Sequence, residues 1–135
     1  MRKVLAVIVG IIAAFVIVVC VDLLALVFHA APAMRPGPEA TAVWLADAPL
    51  PALAVIVLAW FLATLGGGYG ALRISQWPAS AWIVAVAILA SALLGVFRPP
   101  HPLWMQIGAV VAPLLGAWLA SRLPWAASTA TPDAA

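Results

Sequence analysis

Four long apolar runs, at residues 4–28, 49–68, 79–97 and 102–120, constrain this chain more than any other feature of its sequence. Each is long enough to cross the hydrocarbon core of a bilayer, which takes about 20 helical residues. None of them alternates polar and apolar residues as a barrel strand does. Only 7% of the residues are charged, against about a quarter in soluble domains. We therefore predict an all-α polytopic membrane protein, with a bundle of four transmembrane helices over residues 1–122.

The positions of the basic residues predict the orientation of this bundle. Four of them lie in the N-terminal segment, the second connection and the C-terminal end: Arg2, Lys3, Arg73 and Arg122. The other two, Arg35 and Arg98, lie in the first and third connections. Because basic residues accumulate on the cytoplasmic side, both termini are predicted to be cytoplasmic. The sequence has no basic run, so no nucleic acid is predicted as a partner.

The first connection, residues 30–48, is the longest and has room for structure of its own. Pro38 suits the first position of a helix, and Glu39 complements the positive end of its dipole. With Trp44 and neighbouring alanines on one side, such a short helix would lie on the outer membrane surface. The alternative is an irregular loop anchored by Trp44. The tail at residues 123–135, rich in Ala, Ser, Thr and Pro, is predicted to be disordered.

Most of the seven tryptophans are predicted to anchor the helices at the two membrane interfaces. Two of them, Trp44 and Trp104, belong to the outer interface. Those of the inner interface are Trp77, Trp82, Trp118 and Trp125. Trp60 falls near the middle of the second run, where it is either a packing residue or the wall of a pocket.

Small residues spaced four positions apart predict close packing between the helices. The predicted packing residues are Gly10, Ala14, Gly66, Gly70, Gly108, Ala112 and Gly116. A phosphate-binding loop is not predicted at the glycine-rich end of the second run, because no strand precedes it and no Lys-Ser or Lys-Thr pair follows. Pro113 leaves the carbonyl of Ala109 without its helical donor, which predicts a kink in the fourth helix.

Asp22 is the one charged residue inside the four runs. Acidic groups within spans often serve as proton relays or counter-ions, and His29 follows on the same helix face. At 1.5 Å per residue, however, Asp22 lies roughly 27 Å from the start of its run, in the outer part of the helix. We therefore expect its carboxylate to join the outer helix ends by pairing with Arg98, His101 or Gln106, or to cap a helix start. The alternative is a proton or cation site.

No catalytic or metal-binding set is visible in the sequence. No serine has a histidine and an acid placed to form a triad, so we predict that the protein is not an enzyme. Asp22, His29 and His101 are ligand types that zinc accepts, but they lack the close spacing of a zinc site. Neither a metal nor another cofactor is predicted.

Four segments resemble an uncharacterised family of small four-span bacterial membrane proteins: Pro38-Glu39-Ala40, Leu58-Ala59-Trp60, Gly67-Gly68 and His101-Pro102-Leu103-Trp104. The similarity extends from Arg2 to about Arg122. It implies a multi-pass protein of the bacterial inner (cytoplasmic) membrane and brings no activity with it. In that family the first helix carries a glutamate and, four residues later, a histidine. Asp22 matches the acid, whereas Leu26 occupies the histidine position.

The size of the chain and the acid in its first run are also similar to small multidrug resistance transporters. Those proteins use a mid-membrane glutamate and aromatic residues in a dimer, whereas Asp22 lies nearer the outer face. This likeness implies a transporter, without a further matching motif.

Two functions are therefore predicted. The scarcity of polar groups in the spans and the faces of small residues favour a non-enzymatic structural or accessory subunit, which packs with itself or with a larger membrane complex. The alternative is an oligomeric transporter coupled to protons or cations through Asp22, with Trp60 lining the path. The lipid bilayer is the expected partner in both cases.

Overall fold

The computed structural model describes residues 1–30, 37–97 and 101–124, and five α-helices lie in these ranges. They are α1 (Arg2–Phe28), α2 (Pro38–Asp47), α3 (Leu50–Ser75), α4 (Ala79–Phe97) and α5 (Leu103–Arg122). All except α2 are long and apolar enough to cross a membrane. The predicted all-α fold with four membrane-length helices is confirmed.

Three helices extend beyond the apolar runs that predict them: α1 at its start, and α3 and α5 at their ends. α3 continues past residue 68 to Ser75, where Gln76 adopts a left-handed conformation with φ of 53°. The N–H of Gln76 donates to the carbonyl of Leu72, which closes the last turn. α5 continues through the buried Pro113 to Arg122. The glycines that end the second apolar run therefore lie inside a helix, and the kink at Pro113 stays a prediction.

The first connection contains the short helix that its sequence predicts. α2 has Pro38 in its first turn, with Glu39 beside it, and Gly37 precedes the helix in extended conformation. Thr41 donates its hydroxyl to the carbonyl of Gly37 at 3.0 Å. Leu45 is buried in the core, so α2 lies against the bundle with one apolar side.

α3 occupies the centre of the bundle. It packs against α1, α4 and α5, while α4 also packs against α1 and α5. The main buried cluster takes side chains from all five helices, among them Ala14, Leu45, Trp60, Ile88 and Met105. Trp60 is only 7% exposed within this cluster, so it is a packing residue of the core.

α1 and α3 approach each other closely around Gly67. A methyl group added to Gly67 would lie 2.7 Å from Cβ of Ala14 and would overlap the carbonyl oxygen of Gly10. A methyl group on Gly10 would lie 2.7 Å from Cβ of Ala71. The absence of side chains at both glycines is thus what allows the two backbones to come this near.

This contact lies one position away from the pair Gly66 and Gly70 that the sequence predicts. A methyl group on Gly70 would meet no atom within 4 Å, and one on Gly66 would meet only Cδ1 of Ile17, at 2.7 Å. The buried repeat of small residues is instead Ala63, Gly67 and Ala71. Because successive helical residues point about 100° apart, a shift of one position moves the contact to another face.

α5 packs on α3 through the predicted small residues. A methyl group on Gly116 would lie 2.7 Å from the carbonyl oxygen of Phe61. One on Gly108 would lie 2.9 Å from Cγ1 of Val57. Ala112, between the two glycines, is buried. The α3–α5 contact is therefore also one of backbone against small side chains.

The start of α1, the end of α3 and the end of α5 lie at the same end of the bundle. Nε of Arg2 donates to the carbonyl of Ile74 at 2.8 Å. The hydroxyl of Tyr69 donates to the carbonyl of Pro124 at 3.0 Å. We call this the basic end, defined by Arg2, Lys3, Arg73 and Arg122. The opposite end holds α2 and the C-terminus of α1.

Some of the predictions concern residues outside the described ranges. These residues are Arg35, Arg98, Trp125 and the rest of the tail from residue 125.

Replacing Gly67 by Ala should lower the free energy of unfolding by about 1–3 kcal/mol, because the methyl group would force the α1 and α3 backbones apart. Gly70→Ala is the matched control, since its methyl group meets open space. The control should be neutral or stabilising by up to about 1 kcal/mol through helix propensity. Unfolding of the detergent-solubilised protein, followed by circular dichroism, measures both. Equal effects of the two substitutions would contradict this packing.

Candidate functional site

Asp22 lies on the packed side of α1. The buried residues of this helix are Ala6, Gly10, Ala14 and Ala25. Asp22 is half-buried, one turn before Ala25. Its Oδ1 atom is buried and has no hydrogen-bond partner among the described residues. A carboxylate oxygen thus stands within a membrane-length helix without the partner that such a group requires.

Contrary to the expected pairing, Oδ1 of Asp22 has neither His101 nor Gln106 as a partner in the described part of the chain. Nε2 of Gln106 donates instead to the carbonyl of His101 at 2.9 Å. The reason lies in the packing: α1 rests mainly on α3, whereas α5, which carries Gln106, packs on α3 and α4. The third expected partner, Arg98, lies outside the described residues. Asp22 therefore does not join the ends of α1 and α5 through these two side chains.

His29 takes part in the docking of α2. Its ring lies 5.3 Å from the ring of Trp44, at an interplanar angle of 50°. Nε1 of Trp44 donates to the carbonyl of Ala30 at 3.0 Å. His29 follows Asp22 by two helical turns, about 10 Å along the axis. The two side chains share a helix, but His29 is packed against Trp44 at the helix end.

A metal centre is not assembled from the candidate ligands. Within residues 1–30, 37–97 and 101–124, no three His, Cys, Asp or Glu side chains come together to hold an ion. Asp22, His29 and His101 thus do not form a set of three ligands.

Other polar side chains in the long helices have local partners, in contrast to Asp22. Thr64 donates to the carbonyl of Trp60 at 3.0 Å, and Ser91 to that of Ile88 at 2.8 Å. Ser75 donates to the carbonyl of Ala71 at 2.7 Å, and the Ser75 and Ser80 hydroxyls lie 3.0 Å apart. These hydroxyls are satisfied within the chain, whereas Oδ1 of Asp22 is the buried side-chain oxygen left without a partner in the described ranges.

The described surface of the bundle includes two apolar grooves. One, of about 340 Å³, lies between α3 and α5 around Phe61 and Gly108. The other, of about 410 Å³, lies between α1 and α4 at the basic end and includes Lys3 and Trp77. Asp22 lines neither groove.

The basic end also holds pairs of cations and aromatic rings. Cζ of Arg122 lies 5.2 Å from the Trp118 ring centroid, and Cζ of Arg73 lies 5.9 Å from that of Tyr69. These pairs are four positions apart in the sequence, so helical spacing could have predicted them. A third pair joins Lys3 to the distant Trp77 at 5.5 Å. No local signal in the sequence indicates that contact.

The remaining predicted interface anchors also lie near the ends of helices. Trp82 is 42% exposed in the first turn of α4, and Trp104 is 41% exposed in the first turn of α5. Both rings thus face outward from the bundle, as expected of tryptophans that anchor a helix at a membrane interface.

Comparisons with models of protein families, with curated proteins and with solved structures return no match for this chain. The resemblances to the four-span bacterial family and to small multidrug resistance transporters stay predictions.

Replacing Asp22 by Leu should raise the free energy of unfolding of the isolated chain by about 1–3 kcal/mol, because it removes a buried polar atom without a partner. Asp47→Leu is the control, since Asp47 is exposed at the end of α2 and should change stability by less than about 0.5 kcal/mol. Denaturant titration in detergent compares the two variants. A loss of stability in the Asp22 variant would reveal a partner within the chain.

Proposed function

We propose that this protein is a non-enzymatic structural or accessory subunit of a bacterial inner membrane, which packs with itself or with a larger membrane complex. The observation that carries the proposal is the buried Oδ1 of Asp22, which has no partner among the described residues. A polar group left unsatisfied in hydrocarbon costs several kcal/mol. Asp22 is only half-buried, so the exposed part of its carboxyl group can accept a hydrogen bond from a neighbouring transmembrane helix, which would offset that cost.

The exposure of α1 supports this role. Only 17% of its most apolar stretch is buried in the chain, against 39% for each of α3, α4 and α5. α1 therefore presents more uncovered surface than the other long helices, and it is also the helix that carries Asp22. Interhelical hydrogen bonds together with close packing are the interactions that hold membrane helices together.

The proposed orientation has both termini in the cytoplasm. Its support is the gathering of Arg2, Lys3, Arg73 and Arg122 at one end of the bundle, as the positive-inside rule requires of a cytoplasmic face. Glu39 and Asp47 lie on α2, at the opposite end. The resemblance to four-span bacterial proteins supports the inner membrane as the location.

The second candidate is an oligomeric transporter coupled to protons or cations through Asp22. The same unpartnered oxygen favours it, because a carboxyl group at membrane depth can exchange a proton. One observation favours the accessory role instead: Trp60, the expected wall of a path, is buried in the core.

Purification from the native membrane in a mild detergent should yield an assembly larger than a monomer, measured by light scattering and by mass spectrometry of co-purifying proteins. The Asp22→Leu variant should lose this assembly, because it removes the group that accepts the partner's hydrogen bond. Asp47→Leu should keep it. A stable monomer without a co-purifying protein would contradict the accessory role.

The transporter role is tested by proton flux into liposomes, followed with an enclosed pH-sensitive dye under a potassium diffusion potential. We expect the parent protein to give no more flux than empty liposomes. The matched variant is Asp22→Asn, which keeps the shape of the side chain and cannot release a proton. Flux by the parent protein that this variant abolishes, with assembly intact, would favour the transporter.

A further inference from the structure

The groove between α1 and α4 at the basic end combines an apolar floor with a cation at its mouth. The residues that line it are Lys3, Val4, Val7, Ile8, Trp77 and Ile83, around about 410 Å³. Five of these six are apolar or aromatic. Lys3 supplies the charge, with Nζ 5.5 Å from the centroid of the Trp77 ring.

The mouth of the groove is electropositive. Arg2 stands beside Lys3, and its Nε–H donates to the carbonyl of Ile74 at 2.8 Å, which ties the start of α1 to the end of α3. Of the acidic residues in the described ranges, Asp22 lies far along α1, and Glu39 and Asp47 lie on α2. No described acid therefore neutralises the basic end.

The groove is short. From Lys3 to Ile8 it follows α1 for about 7.5 Å, a quarter of a bilayer core of about 30 Å. Just beyond it α1 and α4 touch, since a methyl group on Gly10 would lie 3.2 Å from Cγ2 of Val84. A spanning helix of a partner would not fit along such a groove, whereas a flexible acyl chain can enter it from the side.

We propose that this groove binds an anionic phospholipid, with the phosphate at Lys3 and Arg2 and the upper part of an acyl chain against Val4, Ile8 and Ile83. Basic pockets between transmembrane helices on the cytoplasmic side are suited to anionic headgroups, and a tryptophan ring suits the interface between headgroup and chain. The site is separate from Asp22, so it holds for either proposed role.

Native mass spectrometry of the full chain tests this site. Protein delipidated in detergent is incubated with equal amounts of phosphatidylglycerol and phosphatidylcholine, and the retained lipids are counted. We expect preferential retention of phosphatidylglycerol, and a loss of that preference of about fivefold in Lys3→Gln, the contribution of one cation near the headgroups. Lys3→Arg, which keeps the charge, should restore the preference and shows that the fold at this position tolerates substitution.

The control for surface charge is Arg122→Gln. Arg122 also stands over a tryptophan ring at the basic end, but it does not line the groove. It should leave the preference for phosphatidylglycerol unchanged. Ile83→Trp, which fills the groove, should reduce retention of both lipids.

Three results would overturn the proposal. One is equal retention of the two lipids by the parent protein. Another is an equal loss in Arg122→Gln and Lys3→Gln, which would indicate general attraction to a basic surface. The third is displacement of phosphatidylglycerol by millimolar inorganic phosphate, which would mean that the acyl chain contributes nothing.

Discussion

The bundle depends on the contact of backbone with backbone between α1 and α3 at Gly67. In lipid, helices gain little from burying apolar side chains, because the surrounding acyl chains are equally apolar. Dispersion between closely apposed backbones and small side chains must supply the attraction, and it falls steeply with separation. Gly10 and Gly67 set that separation for α1, and Gly116 sets it for α5. With both neighbours fixed against α3, α4 can close the bundle against α1 and α5.

This packing leaves the polar groups in two different situations. The hydroxyls of Thr64 and Ser91 are satisfied by carbonyls one turn earlier on their own helices. A short hydroxyl can always do this in a helix, whatever the neighbouring helices are. An aspartate side chain accepts hydrogen bonds but, when ionised, has no donor for those carbonyls. Asp22 therefore depends on a group from outside its helix, and the described part of the chain offers none.

Much of the fold could be predicted from the sequence, because length and apolarity alone identify a membrane-spanning helix. Pro38 and Glu39 likewise carried enough local information to place α2. The C-terminal end of α3 could not be predicted in the same way. Gly67 and Gly68, which would weaken a helix in water, pack here against neighbouring helices. The face of α3 that meets α1 was predicted one residue away, because Gly66-Gly67-Gly68 offers several small residues in succession. Only the tertiary contact selects among them.

The sequence identifies Asp22 as the candidate site, but it does not show which groups surround its side chain. A charged residue within an apolar run can be recognised from the sequence alone, and Asp22 is such a residue. Its lack of a partner depends on which helices stand beside α1, and the joining of Lys3 to Trp77 depends on an approach between distant segments. Neither feature can be predicted from the spacing of residues along the chain.

The position of α3 between α1 and α5 has a consequence for how the protein is made. α1 leaves the ribosome first, but its main neighbour is synthesised only after α2 has been completed. At about 5–20 residues per second, α1 resides in the bilayer for several seconds without that neighbour. It must therefore be stable in the bilayer before α3 is present, despite Asp22, and it is the most apolar of the four long helices. α5 is the least apolar of the four. It enters the bilayer when α3 is already present, so its glycines can pack on α3 at once. The first and the last of the long helices thus differ in apolarity as the order of synthesis requires.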